Sequence, residues 1–392
     1  MSKKDKKTRK NWKERLRERQ IRYQRALESY RIRREREAEK KPKGWSKGKI
    51  LGVVCLIALI LSVFAVWQSI QPYNQSHPPS ASQGEQQTPS PPLNAIYIRA
   101  NGSIEPSTAP ISKVKKDQYV LTADVYLPIV VERDNIIIDG GGHVLQGMNV
   151  YGSKGIDLTD RSGVTIKNMT IKGFDYGLYL VSASNNVLLQ NNLTDNYCGI
   201  WLAYSSYNRI VSNTLTKNDF CGIWLKNSLS NKIYENRLTS HGNYTIYLGY
   251  SNNTTIDKNT LANNRLSIFI YSSVNNSISG NNITQNYQGI HLSSSLQNLL
   301  TKNTFANNDI GLGLSDSFNN TIYHNNFIDN GVQVTLSNSE NIWDDGSEGN
   351  YWSNYKDLYP QAEELDGSGI WNTAYSIDEN NLDRFPMTKP AF

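Results

Sequence analysis

The chain has 392 residues, 41 Lys plus Arg against 35 Asp plus Glu, a formal net charge of +6 and three cysteines. The charge is unevenly divided: residues 1–49 hold 21 basic and 7 acidic side chains, net +14, and the remaining 20 basic and 28 acidic leave the rest at net −8. A mildly acidic body repels phosphate backbones, which excludes nucleic acid as the ligand of the folded part.

Residues 1–49 read as a basic, helical tail. Trp12, Leu16, Tyr23, Leu27 and Tyr30 fall at steps of four, seven, four and three, a narrow apolar seam on a helix full of Arg, Lys and Glu. Such a helix is drawn to anionic lipid head groups; a short coiled coil or a cytoplasmic partner are its other uses. Residues 50–70, ILGVVCLIALILSVFAVWQSI, run for 21 residues without a charge. At 1.5 Å per residue this is about 30 Å, one bilayer crossing. Trp45 and Trp67 bracket it, and it is too long for the core of a cleaved signal peptide. The expectation is an uncleaved single-pass transmembrane helix, with the basic tail cytoplasmic and the carboxyl end outside the cell membrane. Residues 71–94 are rich in Pro, Ser and Gln and read as an extended linker.

From residue 95 the pattern changes. Residues 95–154 read as a lead-in, with Val130, Val131 and Ile136 to Ile138 in a first coil and Asp139-Gly-Gly-Gly142 as a turn. Then a tetrapeptide recurs: Gly155-Ile-Asp-Leu158, Gly177-Leu-Tyr-Leu180, Gly199-Ile-Trp-Leu202, Gly222-Ile-Trp-Leu225 and Thr245-Ile-Tyr-Leu248, followed by Ser267-Ile-Phe-Ile270, Gly289-Ile-His-Leu292, Gly311-Leu-Gly-Leu314 and Gly331-Val-Gln-Val334. Successive first residues lie 22, 22, 23, 23, 22, 22, 22 and 20 apart. Its second and fourth residues are always aliphatic, the alternation of a strand with one face buried. Asn191, Asn213, Asn236, Asn259, Asn281, Asn303 and Asn325 recur in phase, each followed two residues later by Leu, Ile or Phe. Stacked Asn amides hydrogen-bond along a ladder, and Asn tolerates the left-handed backbone of a tight turn. Short strands repeated without helices predict an all-β parallel β-helix solenoid over residues 95–343. Residues 344–392 break the period and carry many aromatics, as a C-terminal cap over the last coil should.

Cys198 and Cys221 precede equivalent glycines and so stack in neighbouring coils. Parallel strands lie about 4.8 Å apart, inside the range a disulfide accepts, but in-register side chains point the same way. Two small buried thiols are the expectation.

The segments YIRANGSIEPSTAPI and IIIDGGGHVLQG, the GI-x-L repeats with NNxIxxN turns, and NYWSNY with its trailing RFPM resemble archaeal membrane-anchored surface proteins. These carry the NosD-like, right-handed parallel β-helix of the pectin-lyase-like group of carbohydrate-binding proteins and sugar hydrolases, so the resemblance implies a right-handed solenoid. The resemblance covers roughly residues 95–392 and implies fold and cell-surface placement more firmly than activity. Copper delivery, the role that names the family, is not expected here: Met148, Met169 and Met387 and the histidines His77, His143, His241, His291 and His324 show no ligand spacing.

The outward position of the tetrapeptide carries the leading hypothesis. It presents Asp157, Tyr179, Trp201, Trp224, Tyr247, Phe269, His291, Gly313 and Gln333 in successive coils, with Tyr204, Tyr250 and Tyr271 beside them. Sugar C–H faces stack on such rings, while Tyr hydroxyls and Trp N–H groups bond sugar edges; the bland alternative is a ladder of rings that only stabilises its strands. A glycan or cell-envelope partner bound along Tyr179, Trp201, Trp224, Tyr247, Phe269 and His291 is therefore expected, with no cofactor. Polysaccharide cleavage or epimerisation is the rival, resting on Asp157 and Asp175, with Asp160, Lys172 and His143 nearby; coils of 20 to 23 residues leave little chain for the long loops of a cleft. A purely structural spacer is the third reading. Glu364, Asp366 and Ser368 resemble the start of a calcium loop, without an acid at the twelfth place. Sequons at Asn101, Asn168, Asn192, Asn243, Asn252, Asn253, Asn275, Asn282 and Asn319 could accept glycans.

Overall fold

The computed structural model describes residues 95–392. The expected basic tail, transmembrane helix and linker lie outside the described residues. Among the described residues no helix is long and apolar enough to cross a membrane, and the one α-helix is the four-residue Tyr355–Leu358.

Each repeat makes one coil of three short strands, as in Cys198–Ala203, Arg209–Val211 and Thr214–Thr216. Equivalent strands pair in parallel and in register, so about 11 turns build three faces. One face consists of six-residue strands, from Tyr176–Val181 to Val332–Ser337, and is called here the long-strand face. The second and third faces carry three-residue strands. Aliphatic residues point inward from all three: Leu178, Leu180, Leu188 and Leu193 are wholly buried, as are their counterparts up to the coil of Leu312 and Leu314, whereas Val334 and Leu336 in the last coil are partly buried. At roughly 2 kcal/mol for each buried aliphatic side chain, this column is the main source of stability.

Glycine opens most tetrapeptides because its Cα faces inward at a crowded point. A Cβ on Gly199 would lie 2.7 Å from the carbonyl oxygen of Gly222 and 3.0 Å from the Leu215 side chain. Where Thr245 and Ser267 replace glycine, their hydroxyls are buried without a hydrogen-bond partner among the described residues.

The corners share one device, a left-handed residue followed by an inward polar one. The expected Asn ladder forms: Asn236 donates from its backbone N–H and its Nδ2 to Asn259 Oδ1 at 2.9 and 3.0 Å, and Nδ2 also reaches the Ile210 carbonyl at 2.9 Å. The left-handed backbone falls one residue earlier than expected, on Gln190 (φ 53°), Ser212 (52°), Glu235 (58°) and Lys258 (52°). The ladder Asn is thus selected for its amide. Three further ladders accompany it. One runs from Asn186 through Asn208 and Asn231 to Asn341, interrupted by Thr254. Another runs from Asn196 to Asn330, interrupted by His241. A serine ladder runs from Ser205 to Ser339.

Two expectations are corrected. Cys198 and Cys221 are joined by a disulfide, their Cα atoms 4.7 Å apart, within the separation a disulfide spans. In the last repeat the partners are Leu312 with Val334, Gly313 with Thr335 and Leu314 with Leu336, so the period there is 22. Thr335, and not Gln333, takes the outward position. Gln333 occupies the glycine site, buried, and accepts from Asn330 Nδ2 at 2.8 Å.

The carboxyl end continues the ladders. Asn350 Oδ1 accepts from Asn325, and Asn381 Oδ1 accepts from the Asn341 N–H at 3.0 Å. Asp383 closes the row, accepting from the Asn350 N–H at 2.7 Å and Trp352 Nε1 at 2.8 Å. Tyr351–Trp352 adds a parallel rung beside Asn326–Ile328, and the Trp352 ring stacks 4.4 Å above Phe327.

Candidate ligand-binding face

The long-strand face displays two outward columns. One is Asp157, Tyr179, Trp201, Trp224, Tyr247, Phe269, His291, Gly313 and Thr335, each in register with the next. The other is Lys154, Tyr176, Cys198, Cys221, Tyr244, Leu266 and Gln288. The disulfide lies in this outward column yet is fully buried. Tyr197 and Phe220 flank the columns on one side, their rings stacked at 5.1 Å.

The sequence reading foresaw the first column and missed Tyr176, Tyr244, Tyr197, Phe220 and Tyr287. The signal was present, since Tyr176 and Tyr244 share the repeat position of the two cysteines.

Ring orientation decides the chemistry. Trp201 and Trp224 stack with planes 1° apart and centroids at 5.2 Å, and Trp224 and Tyr247 at 9° and 3.7 Å. Tyr244 stacks on Phe269 at 5.5 Å, Tyr176 meets Trp201 edge-on at 5.3 Å, and Lys154 Nζ covers the Tyr179 ring at 4.0 Å. The ring faces of the central column are occupied by one another, so a ligand meets ring edges and Tyr hydroxyls; the Trp224 indole N–H is buried and has no partner among the described residues. This corrects the expected face-on stacking of sugars along the column. All six of Tyr179, Trp201, Trp224, Tyr247, Phe269 and His291 are half-buried. Exposed tyrosines stand on the margins, where Tyr197 and Tyr287 precede the long strands and Tyr204 and Tyr250 follow them, 45, 53, 64 and 49% exposed.

Burial tunes the column. It pushes the Tyr247 hydroxyl up to about 12, which keeps it a neutral donor and acceptor, and it pushes the His291 imidazole down. His291 Nδ1 lies 2.9 Å from Gln288 Nε2, and the two lean over Gly313, where a Cβ would lie 2.4 Å from that amide. The aromatic column therefore ends at Gly313, where the Gln288 and His291 side chains fill the space beside the backbone.

The candidate catalytic carboxylates are already engaged, Asp157 within its own turn and Asp175 across neighbouring coils. Asp157 accepts from Lys154 Nζ at 2.6 Å and from the Thr159 N–H and hydroxyl at 3.0 and 2.5 Å. Asp175 accepts from the Gly152 N–H at 2.8 Å. The calcium-like loop closes on itself: Glu364 Oε1 accepts from the Gly369 N–H at 2.9 Å, Ser368 donates to the Leu365 carbonyl at 2.5 Å, and Asp366 is exposed. No three His, Cys, Asp or Glu side chains converge as a metal-ion site among the described residues.

Two family models match parts of the chain. The one described as periplasmic copper-binding protein (NosD) matches residues 220–357, and the one described as right handed beta helix region matches residues 134–265. Together with the solenoid they make the fold a right-handed parallel β-helix. No curated protein matches the chain. Among solved structures, the periplasmic alginate epimerase AlgG aligns at 19% identity over 58% of this chain and 68% of its own, with a TM-score of 0.43. A tailspike protein of E. coli bacteriophage HK620, in complex with a pentasaccharide, aligns at 12% identity over 58% of this chain and 53% of its own, with a TM-score of 0.48. This chain thus spans about half the tailspike's length. What those proteins bind or modify does not assign a ligand to this chain.

Proposed function

We propose that this chain is a membrane-anchored, extracytoplasmic β-helix protein that binds a carbohydrate or another cell-envelope component on its long-strand face. One observation carries the reading: a continuous aromatic surface, from Tyr176 to His291, bordered on both margins by exposed tyrosines. Rings with an apolar body and a polar rim suit a sugar polymer, whose C–H surfaces meet the marginal tyrosines while its hydroxyls meet the edges of the central column. Aromatic surfaces of this extent on a protein exterior mark interaction sites. The single-pass anchor with a cytoplasmic basic tail belongs to the same proposal, and the Cys198–Cys221 disulfide supports it, since such bonds persist in oxidising compartments. Binding is preferred over catalysis because Asp157 is tied to Lys154 and Thr159, and Asp175 to the Gly152 N–H of the preceding coil.

The test is retention on an array of envelope polysaccharides, comparing the wild type with the double variant Trp201→Ala, Trp224→Ala. Retention that disappears in a variant with an unchanged circular dichroism spectrum supports the reading. Retention of nothing at high protein concentration moves the assignment to a structural spacer, and product release that Asp157→Ala or Asp175→Ala abolishes moves it to an enzyme.

A further inference from the structure

Nine sequons are written in the described residues, and the fold treats them unequally. Four are committed to the solenoid. Asn168 donates its amide to Asp139 Oδ1 at 3.2 Å, and Asn252 accepts from the Val274 N–H at 2.8 Å. Asn243 adjoins Tyr244 and faces Arg265, and Asn192 is half-buried within a third-face strand. Asn253, Asn275 and Asn319 differ: all three are exposed and have no side-chain hydrogen-bond partner among the described residues. They also share one place. Each is the left-handed residue, at φ 55°, 56° and 55°, before a ladder residue at the corner leading into the second face. In Asn252-Asn-Thr-Thr255 the two sequons overlap, and the fold engages the first while freeing the second.

We propose that this corner is a modification ridge, on which Asn253, Asn275 and Asn319 accept N-linked oligosaccharides. The inference rests on the extracytoplasmic reading above. The co-reactant is an oligosaccharide carried on a lipid phosphate. The Asn Nδ2 attacks sugar carbon C1, the N–C1 bond forms, the C1–O bond to the phosphate breaks, and Nδ2 loses one proton as the lipid phosphate departs; nothing is oxidised or reduced. A glycan rooted on this ridge leaves the solenoid's hydrogen bonds intact, because these amides make none. The ridge is separated from the long strand by the corner that carries Tyr250, a second left-handed residue. A glycan on Asn243 would instead cover Tyr244. Asn282, exposed on the third face, and Asn101, exposed with only its amide oxygen engaged by Ser103, offer the same freedom away from the ridge.

The experiment expresses the full chain in cells that carry an oligosaccharyltransferase. Site occupancy is read by glycopeptide mass spectrometry, and external protease on intact cells reports which side of the membrane the β-helix occupies. The expected result is occupancy at Asn253, Asn275 and Asn319, none at Asn252, Asn243, Asn192 or Asn168, and loss of the ridge glycans in Asn253→Gln, Asn275→Gln, Asn319→Gln. Occupancy of Asn252 in place of Asn253, or no ridge glycan on a protease-accessible β-helix, overturns the ridge while leaving the extracytoplasmic reading standing. An unglycosylated β-helix that external protease cannot reach overturns both.

Discussion

His241 is the residue at which the ladders are weakest. It replaces an Asn between Asn218 and Asn264, its Nδ1 accepts from the Asn218 N–H at 3.4 Å, and its buried Nε2 has no partner among the described residues. Burial pushes its imidazole down from 6.5 to about 4. The unfolded chain therefore takes up a proton below about pH 6.5 that the folded chain refuses until about pH 4. The neutral ring costs nothing above pH 6.5, and stability falls as pH drops through that window, by about 3 kcal/mol in full. His241→Asn restores the ladder, so wild type and variant should differ little in acid response above pH 7 and diverge by that amount at pH 4 in denaturant melts. Asp383, which burial pushes up to about 7, titrates in both chains and drops out of the comparison. Parallel acid responses in the two chains would remove His241 as the cause. A second residue-scale expectation concerns the disulfide: Cys198→Ser with Cys221→Ser should cost about 2–4 kcal/mol, and the same loss should appear in wild type under reductant.

At the scale of one element, the corner is the unit that repeats. Asn236→Ala removes the acceptor of the Asn213 N–H and Nδ2 and the bonds that its own Nδ2 donates to the Ile210 and Tyr234 carbonyls and to Asn259. Stranding buried donors costs about 1–3 kcal/mol for each group, so a loss of at least 2 kcal/mol is expected, against about 0.5 kcal/mol or less for Lys232→Ala on an exposed strand position; equal losses would deny the ladder its role. The Asn191 series was legible in the sequence because it repeats without a break. The other two Asn ladders were obscured where Thr254 and His241 interrupt them. Gly331 imitated a tetrapeptide start and shifted the last repeat by two residues, because spacing alone does not show that Gln333 fills the glycine site. The disulfide was misjudged on side-chain direction. The aromatic columns were half legible: periodicity gives position, but ring orientation depends on how neighbouring rings pack.

At the scale of the molecule, the solenoid must be closed at its end and open along one face. Trp352, stacked on Phe327 and on Tyr375 at 4.1 Å, covers the final coil. Trp352→Ala should cost about 3–5 kcal/mol and expose unpaired strand edges, with self-association visible by light scattering. The open face bears the functional claim, and oxidative footprinting of tyrosines tests it most directly, with and without the polysaccharide that the array selects. Tyr197, Tyr204, Tyr250 and Tyr287 border the long-strand face, whereas Tyr126 and Tyr207, each 61% exposed, lie away from it. Protection of the first four with unchanged oxidation of the other two is the predicted result. Protection of Tyr126 or Tyr207 alone, or of no tyrosine under saturating ligand, would contradict the assignment of this face.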